Sequence, residues 1–185
     1  MGKNTSVSVV SELMKEFSDQ TGLSPAGNTP RRYLWTDAFA VCNFLELHRQ
    51  TDDAEYKELA LRLVDQVHTI LGQHREDDKR TGWISGLDEQ EGMKHPTIGG
   101  LRIGKRLNER GLGDVFDEHL EWERDGQYYH YLTKWMHALY CISVITGDPK
   151  YLIWAMELAK TATHANPDRP VRSMVLEFID QYPQF

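Results

Sequence analysis

Cysteine is scarce in this chain: only Cys42 and Cys141 occur among its 185 residues. Both lie inside apolar stretches of helical period and not at loop positions, so they read as two buried thiols. That excludes a disulfide-stapled scaffold and points to a reducing compartment. Long apolar runs are missing too. No stretch of 18 apolar residues exists and the N-terminus lacks the apolar core of a secretion signal, so a membrane span is excluded and a cytoplasmic location expected. Positive charge is in deficit, with a net charge of -7. The densest basic cluster, Arg102, Lys105, Arg106 and Arg110, is followed at once by acids. Nucleic acid is therefore not an expected partner, because displacing counterions from phosphates needs clustered Lys and Arg. GGLRIGK, residues 99–105, lacks the spacing of a phosphate loop, which sets nucleotide binding aside.

What is present is helical periodicity. Val10, Leu13, Met14 and Phe17 predict a short amphipathic helix over 7–19, and the glycines and prolines of 21–32 stop it. Next, Thr36 or Asp37 is placed to cap a helix that is apolar on nearly all sides, through Ala38, Phe39, Val41, Cys42, Phe44 and Leu45. Such a helix belongs inside a structure. Tyr56, Leu59, Ala60, Leu63, Val67, Ile70 and Leu71 then mark a one-sided outer helix. From Glu76 to Asp125 no helical period persists, and eight glycines punctuate the stretch, with short strands expected at 83–85 and 101–103. A connection that long inside a helical domain is commonly a lid or binding loop. Helix resumes over 127–146, with Tyr128, Leu132, Trp135, Met136 and Leu139 on one face and His130, Lys134, His137 and Cys141 on another. After the turn at Gly147 and Asp148, Pro149 opens a further outer helix, and a last short helix is expected near 171–180.

A repeat underlies this order. Asp53-x-x-Tyr56-x-x-x-Ala60-x-x-Leu63 recurs as Asp148-x-x-Tyr151-x-x-x-Ala155-x-x-Leu158, a shift of 95 residues at every matched position. In each copy an apolar inner helix containing a cysteine precedes the turn. Hairpins of inner and outer helices are the units of α/α toroids and helical arrays, since one pair alone leaves apolar faces uncovered. The expected fold is all-α, a single domain of antiparallel helical hairpins with the 76–125 excursion inserted in it.

The stretch from Phe116 to Trp135 is the densest in chemistry, with five carboxylates, two histidines, two tryptophans and three tyrosines in twenty residues. Acids and flat rings at a helix entrance suit a polyol or sugar. Glycoside hydrolysis needs two carboxyl groups, one protonated near neutrality and one ionised. Glu121, Glu123, Asp125 and Asp37 are the candidates, all before or at the start of an inner helix. Trp35, Trp122, Tyr128 and Tyr129 are candidates for stacking on sugar faces, with Lys134 as a further substrate-binding group. Trp83, between Gly82 and Ile84, reads as an exposed indole awaiting a ligand. His130 can act as acid or base in an epimerase-like reaction, since its ordinary pKa lies near neutral pH. Asp37 also reads as a helix cap, and Glu121 and Glu123 as partners of Arg124 or the loop arginines. His130 and His137, seven residues apart, are separated by about 10 Å along a helix axis and cannot share a metal. No helical His-x-x-x-His spacing appears elsewhere, so neither metal nor cofactor is expected. Nothing marks an activated serine or cysteine nucleophile.

Three segments, RYLWTDAFAVCNFLEL, HPTIGGLRIGK and FDEHLEWERDGQYYHYLTKWMHALY, resemble a group within the six-hairpin glycosidase superfamily, over roughly residues 31–166. The resemblance implies an (α/α)6 toroid, substrate bound where inner helices begin, and hydrolases with paired carboxylates or epimerases with histidines. No superfamily catalytic motif maps onto this chain residue by residue, so no role is carried over. It also implies a chain about twice as long, hence a partial toroid whose inner helices are open on one flank. The expected function is binding or processing of a small saccharide, hydrolase-like if active. The alternatives are a non-catalytic hairpin module that binds a protein or its own copy, and a sugar epimerase or isomerase using His130.

Overall fold

The helical periods are realised as helices that pair in chain order. A computed structural model describes residues 2–25, 30–108, 117, 120 and 123–164. Among them run α1 (Gly2–Gln20), α2 (Leu34–Thr51), α3 (Ala54–Leu71), α4 (Glu89–Lys94), α5 (Tyr129–Thr146) and α6 (Lys150–His164). The inner helix α2 packs on the outer helix α3, α5 packs on α6, and the two inner helices pack on each other, with α1 laid against α2. The fold is all-α, as its periodicity implies. The helix expected near 171–180 lies outside the described residues.

The repeat extends well beyond the four residues that reveal it. Tyr33 and Tyr128, 95 residues apart, stand at equivalent positions immediately before the two inner helices, which have the same length. Each inner helix ends on a residue of positive φ, Asp52 at 58° and Gly147 at 69°, whose N–H donates to His48 and Ser143 respectively. Thr51 and Thr146 donate from their hydroxyls to the carbonyl four residues back, each at 2.7 Å. The Asp53 and Asp148 carboxylates then accept the N–H two residues on, each at 2.9 Å, and so start the outer helices. Both turns are thus built by one recipe.

The core forms where α2, α3, α5 and α6 meet. Phe44, Val41, Leu63, Val64, Trp135, Leu139, Ile142 and Leu158 are fully buried there. His68, on α3, is buried among them. Its Nε2 accepts the Trp135 indole N–H at 3.0 Å, and the Trp154 ring meets it edge-on at 4.9 Å. Loss of water pushes the imidazole down to about 3, so it is neutral at every ordinary pH.

The long connection between the hairpins contains no strand among its described residues. The expected strands at 83–85 and 101–103 are absent; single bridges join Gln73 to Trp83 and Leu107 to Arg124 instead. Its order comes from side chains. Arg102 donates to the Ile70 and Gln73 carbonyls at the end of α3, at 2.6 and 2.7 Å, and to Asp125. Glu157 of α6 receives His95 Nδ1 at 2.6 Å and the Thr97 hydroxyl at 2.8 Å. Two adjoining parts of the middle of the connection are thereby fixed, Arg102 to the first hairpin and His95 and Thr97 to the second.

Candidate functional site

The starts of the two inner helices meet at one end of the molecule. The Tyr33 and Tyr131 hydroxyls lie 2.6 Å apart, and the rings of Trp35, His130 and Tyr131 lie within 4.6–6.0 Å of one another, His130 and Tyr131 edge-on to the Trp35 indole and tilted against each other. Phe39 and Tyr128 extend this aromatic ledge and are 48% and 37% exposed. His130 is exposed on the ledge and Trp35 half-buried in it. Lys134, one turn further along α5, is half-buried.

Beside the ledge opens a cleft of about 790 Å³, walled by the 31–37 segment, the end of α3, and residues 73–77 and 102–106. Its basic lining, Arg31, Arg32, Arg75, Arg102, Lys105 and Arg106, outnumbers the acids Asp37, Glu76 and Asp77. A positive hollow therefore sits in a protein of net negative charge. Gly104 forms part of the wall at φ +85°; a Cβ there would lie 2.1 Å from the Arg32 carbonyl oxygen. Only glycine satisfies both the turn and the approach.

Asp37 is the buried acid of this cleft. The helix begins at Leu34, so neither Thr36 nor Asp37 is the cap; Asp37 sits inside the first turn and accepts the Tyr33 N–H at 2.9 Å. That bond satisfies a donor the helix start leaves orphaned, and so Asp37 does the work of a cap from a later position. Arg32 Nη1 stands 3.8 Å away, too far for a hydrogen bond, and its Nε and Nη1 find no acceptor in the protein. At that distance attraction does not offset the loss of water. Burial pushes the Asp37 carboxyl up to about 7, against the opposing pull of Arg32 and the Tyr33 N–H, and lowers the Arg32 guanidinium. Asp77, in the same cleft, is held below its ordinary value by hydrogen bonding to Arg75. Two carboxyls with opposite protonation preferences thus face one hollow.

The other expected site residues are divided. Asp125 is buried but committed: its carboxylate accepts from Arg102, from the Gly104 N–H at 2.8 Å and the Gly126 N–H at 3.0 Å, with Arg75 Nη1 at 3.6 Å. It borders a second hollow of about 480 Å³, together with Tyr129, across a shared wall of His74, Arg75 and Arg102. Asp37 and Asp125 therefore line different hollows. Glu123 is exposed and joins neither lining. Glu121 and Trp122 lie outside the described residues. Trp83 is not an exposed indole: it is 4% exposed, donates to Glu89 at 3.1 Å, and presses so closely on Gly92 that a Cβ there would lie 2.3 Å from its ring. Its surface is covered by α4.

A second cluster escaped the spacing argument. Cys42, His137 and Cys141 each bring a ligand atom to within 4.8 Å of the others. His137 is too far from His130 to share a metal with it, but its neighbour one turn on is Cys141, whose Sγ lies 3.5 Å from His137 Nε2. The readable signal was His137-x-x-x-Cys141, one turn apart on a helix. Cys42 comes from α2, at the position 95 residues before His137. Both thiols are free and half-buried. No helix among the described residues is long and apolar enough to cross a membrane. No family model, curated protein or solved structure matches the chain.

Proposed function

We propose that the mouth shared by α2 and α5 binds a saccharide carrying a carboxylate, with the aromatic ledge stacking on sugar faces and the basic cleft receiving the anionic group. The observation that carries this reading is the convergence of the two helix starts, joined through Tyr33 and Tyr131, beside a cleft that holds a buried acid among arginines. Flat rings next to hydrogen-bonding groups suit a polyol, and guanidinium groups pair with carboxylates in a planar fork. The resemblance to six-hairpin glycosidases supports the same place, since those proteins bind substrate where inner helices begin.

If the site is catalytic, Asp37 is its proton donor. A carboxyl with a pKa near 7 keeps a proton at neutral pH and can pass it to a leaving oxygen. Asp77, ionised beside Arg75, is the complementary carboxylate of the same hollow. Asp125 supports the wall and takes no part in proton transfer.

Thermal-shift and calorimetric titrations with neutral and uronic mono- and oligosaccharides test the proposal. A uronic ligand should raise the melting temperature, as any ligand of the native state does, and a neutral one of equal size should raise it less. Absence of a shift with every saccharide refutes it. A second reading, self-association, is favoured by the exposed apolar side chains Val144, Leu152, Ile153 and Met156, which are 41–53% exposed on the second hairpin. Melting that depends on protein concentration and not on sugar would establish that reading instead.

A further inference from the structure

We propose that Cys42, His137 and Cys141 bind one thiophilic divalent cation of the zinc class, seated between the two inner helices. The argument is geometric. Tetrahedral zinc, with bonds of about 2.3 Å to sulfur and 2.0–2.1 Å to nitrogen, places a sulfur and a nitrogen ligand about 3.6 Å apart and two sulfurs about 3.8 Å apart. Cys141 Sγ and His137 Nε2 are already 3.5 Å apart, and all three ligand atoms lie within 4.8 Å of one another. Small side-chain adjustments close the remainder.

The backbone holds these atoms in place. His137 and Cys141 are one turn apart on α5, and Cys42 is presented by α2, which packs directly on α5. The half-buried positions let a cation reach the site from solvent without opening the core. Two thiols and an imidazole select a soft or borderline cation and discriminate against calcium and magnesium, which require oxygen ligands. Binding exchanges two thiol protons for one dication and releases both protons to solvent, so the charge of the site does not change. Three protein ligands leave a fourth position for water or a small ligand. Cys42 and His137 each stand eight residues into their helices, about 12 Å along the axis from the mouth. The cation is therefore a bridge between the inner helices, independent of the saccharide reading.

The test uses the full chain, purified with a chelator and a phosphine reductant, then titrated with Zn²⁺ against a chromophoric competitor and with Co²⁺ by absorption spectroscopy. One equivalent should bind, Co²⁺ should give thiolate charge-transfer bands with the strong visible absorption of tetrahedral coordination, and bound Zn²⁺ should shield both thiols from alkylation. Cys42→Ser, Cys141→Ser and His137→Asn should each weaken binding by more than the roughly 10–100-fold that loss of an outer-shell partner causes. His137→Cys should retain it, which separates lost ligation from lost folding; circular dichroism on each variant makes the same check. Wild-type protein that takes up no stoichiometric Zn²⁺ overturns the proposal, as do cobalt spectra without charge-transfer bands. A Cys42→Ser/Cys141→Ser double variant that binds as well as the wild type also overturns it. So does a pair of thiols that forms a disulfide and, once reduced, binds no cation.

Discussion

Replacing Asp37 by asparagine should change how stability depends on pH, and the size of the change follows from two buried groups with opposite displacements. Asp37 is raised to about 7 from an unfolded value of 3.8. Its contribution is fully present below 3.8 and is lost as pH rises to 7, because the unfolded chain ionises first. His68 is lowered to about 3 from 6.5. Its contribution is present above 6.5 and is lost as pH falls, because the unfolded chain takes up the proton first. Each slope is about 1.4 kcal/mol per pH unit and they have opposite signs. Between pH 5 and 6.5 the two nearly cancel, each amounting to about 2 kcal/mol. In Asp37→Asn only the histidine slope remains, so the variant should gain about 2 kcal/mol relative to wild type on going from pH 5 to 6.5. In His68→Gln the difference should reverse sign. Urea unfolding followed by circular dichroism at fixed ionic strength measures both, and subtracting wild type removes the exposed carboxylates common to all three proteins. A difference curve for Asp37→Asn that is flat across this window refutes the claim that Asp37 holds a proton near neutrality, and with it the proton-donor role.

Three further outcomes follow from the packing. Asp125→Ala leaves Arg102 against α3 without its carboxylate, and should cost about 3–5 kcal/mol in denaturant unfolding; a loss within about 0.5 kcal/mol, the range of ordinary surface changes, would show that Asp125 does not tie the connection. Gly92→Ala drives a methyl into the Trp83 ring, with an expected loss of about 1–3 kcal/mol and a red shift of tryptophan emission as the indole is expelled; wild-type stability and emission would contradict the tight contact. Asp53→Ala removes a helix cap and should cost about 1 kcal/mol, and replacing its repeat mate Asp148 should lower the melting temperature in the same direction; an effect at one turn alone would break the equivalence of the hairpins.

Local signals carried the fold. Apolar period and turn chemistry located α2, α3, α5 and α6 to within a few residues, and Asp53 and Asp148 announced the repeat, because these features are written within one or two helical turns. Asp37 was visible as a carboxyl at a helix start, but its environment was not: Arg32 lies near in sequence, whereas the cleft around both is closed by residues 73–77 and 102–106. The connection is hard to read in sequence for the same reason. Trp83 looked exposed because the helix that covers it, α4, is too short to leave a period. Strand was expected at 101–103, where Arg102 instead reaches carbonyls 29 and 32 residues away. Cys42 and Cys141 give no sign of meeting, since nothing in their local sequence tells that α2 and α5 lie side by side.

The connection fixed by Arg102 to one hairpin and by Glu157 to the other has a mechanical consequence. Two units tied by a slack tether can swing open to admit a ligand; two units joined by a strut cannot. A ligand of the proposed mouth is therefore expected to enter by rearrangement of side chains that line it, such as Tyr33, Lys105 and Arg106, and not by parting of the two hairpins.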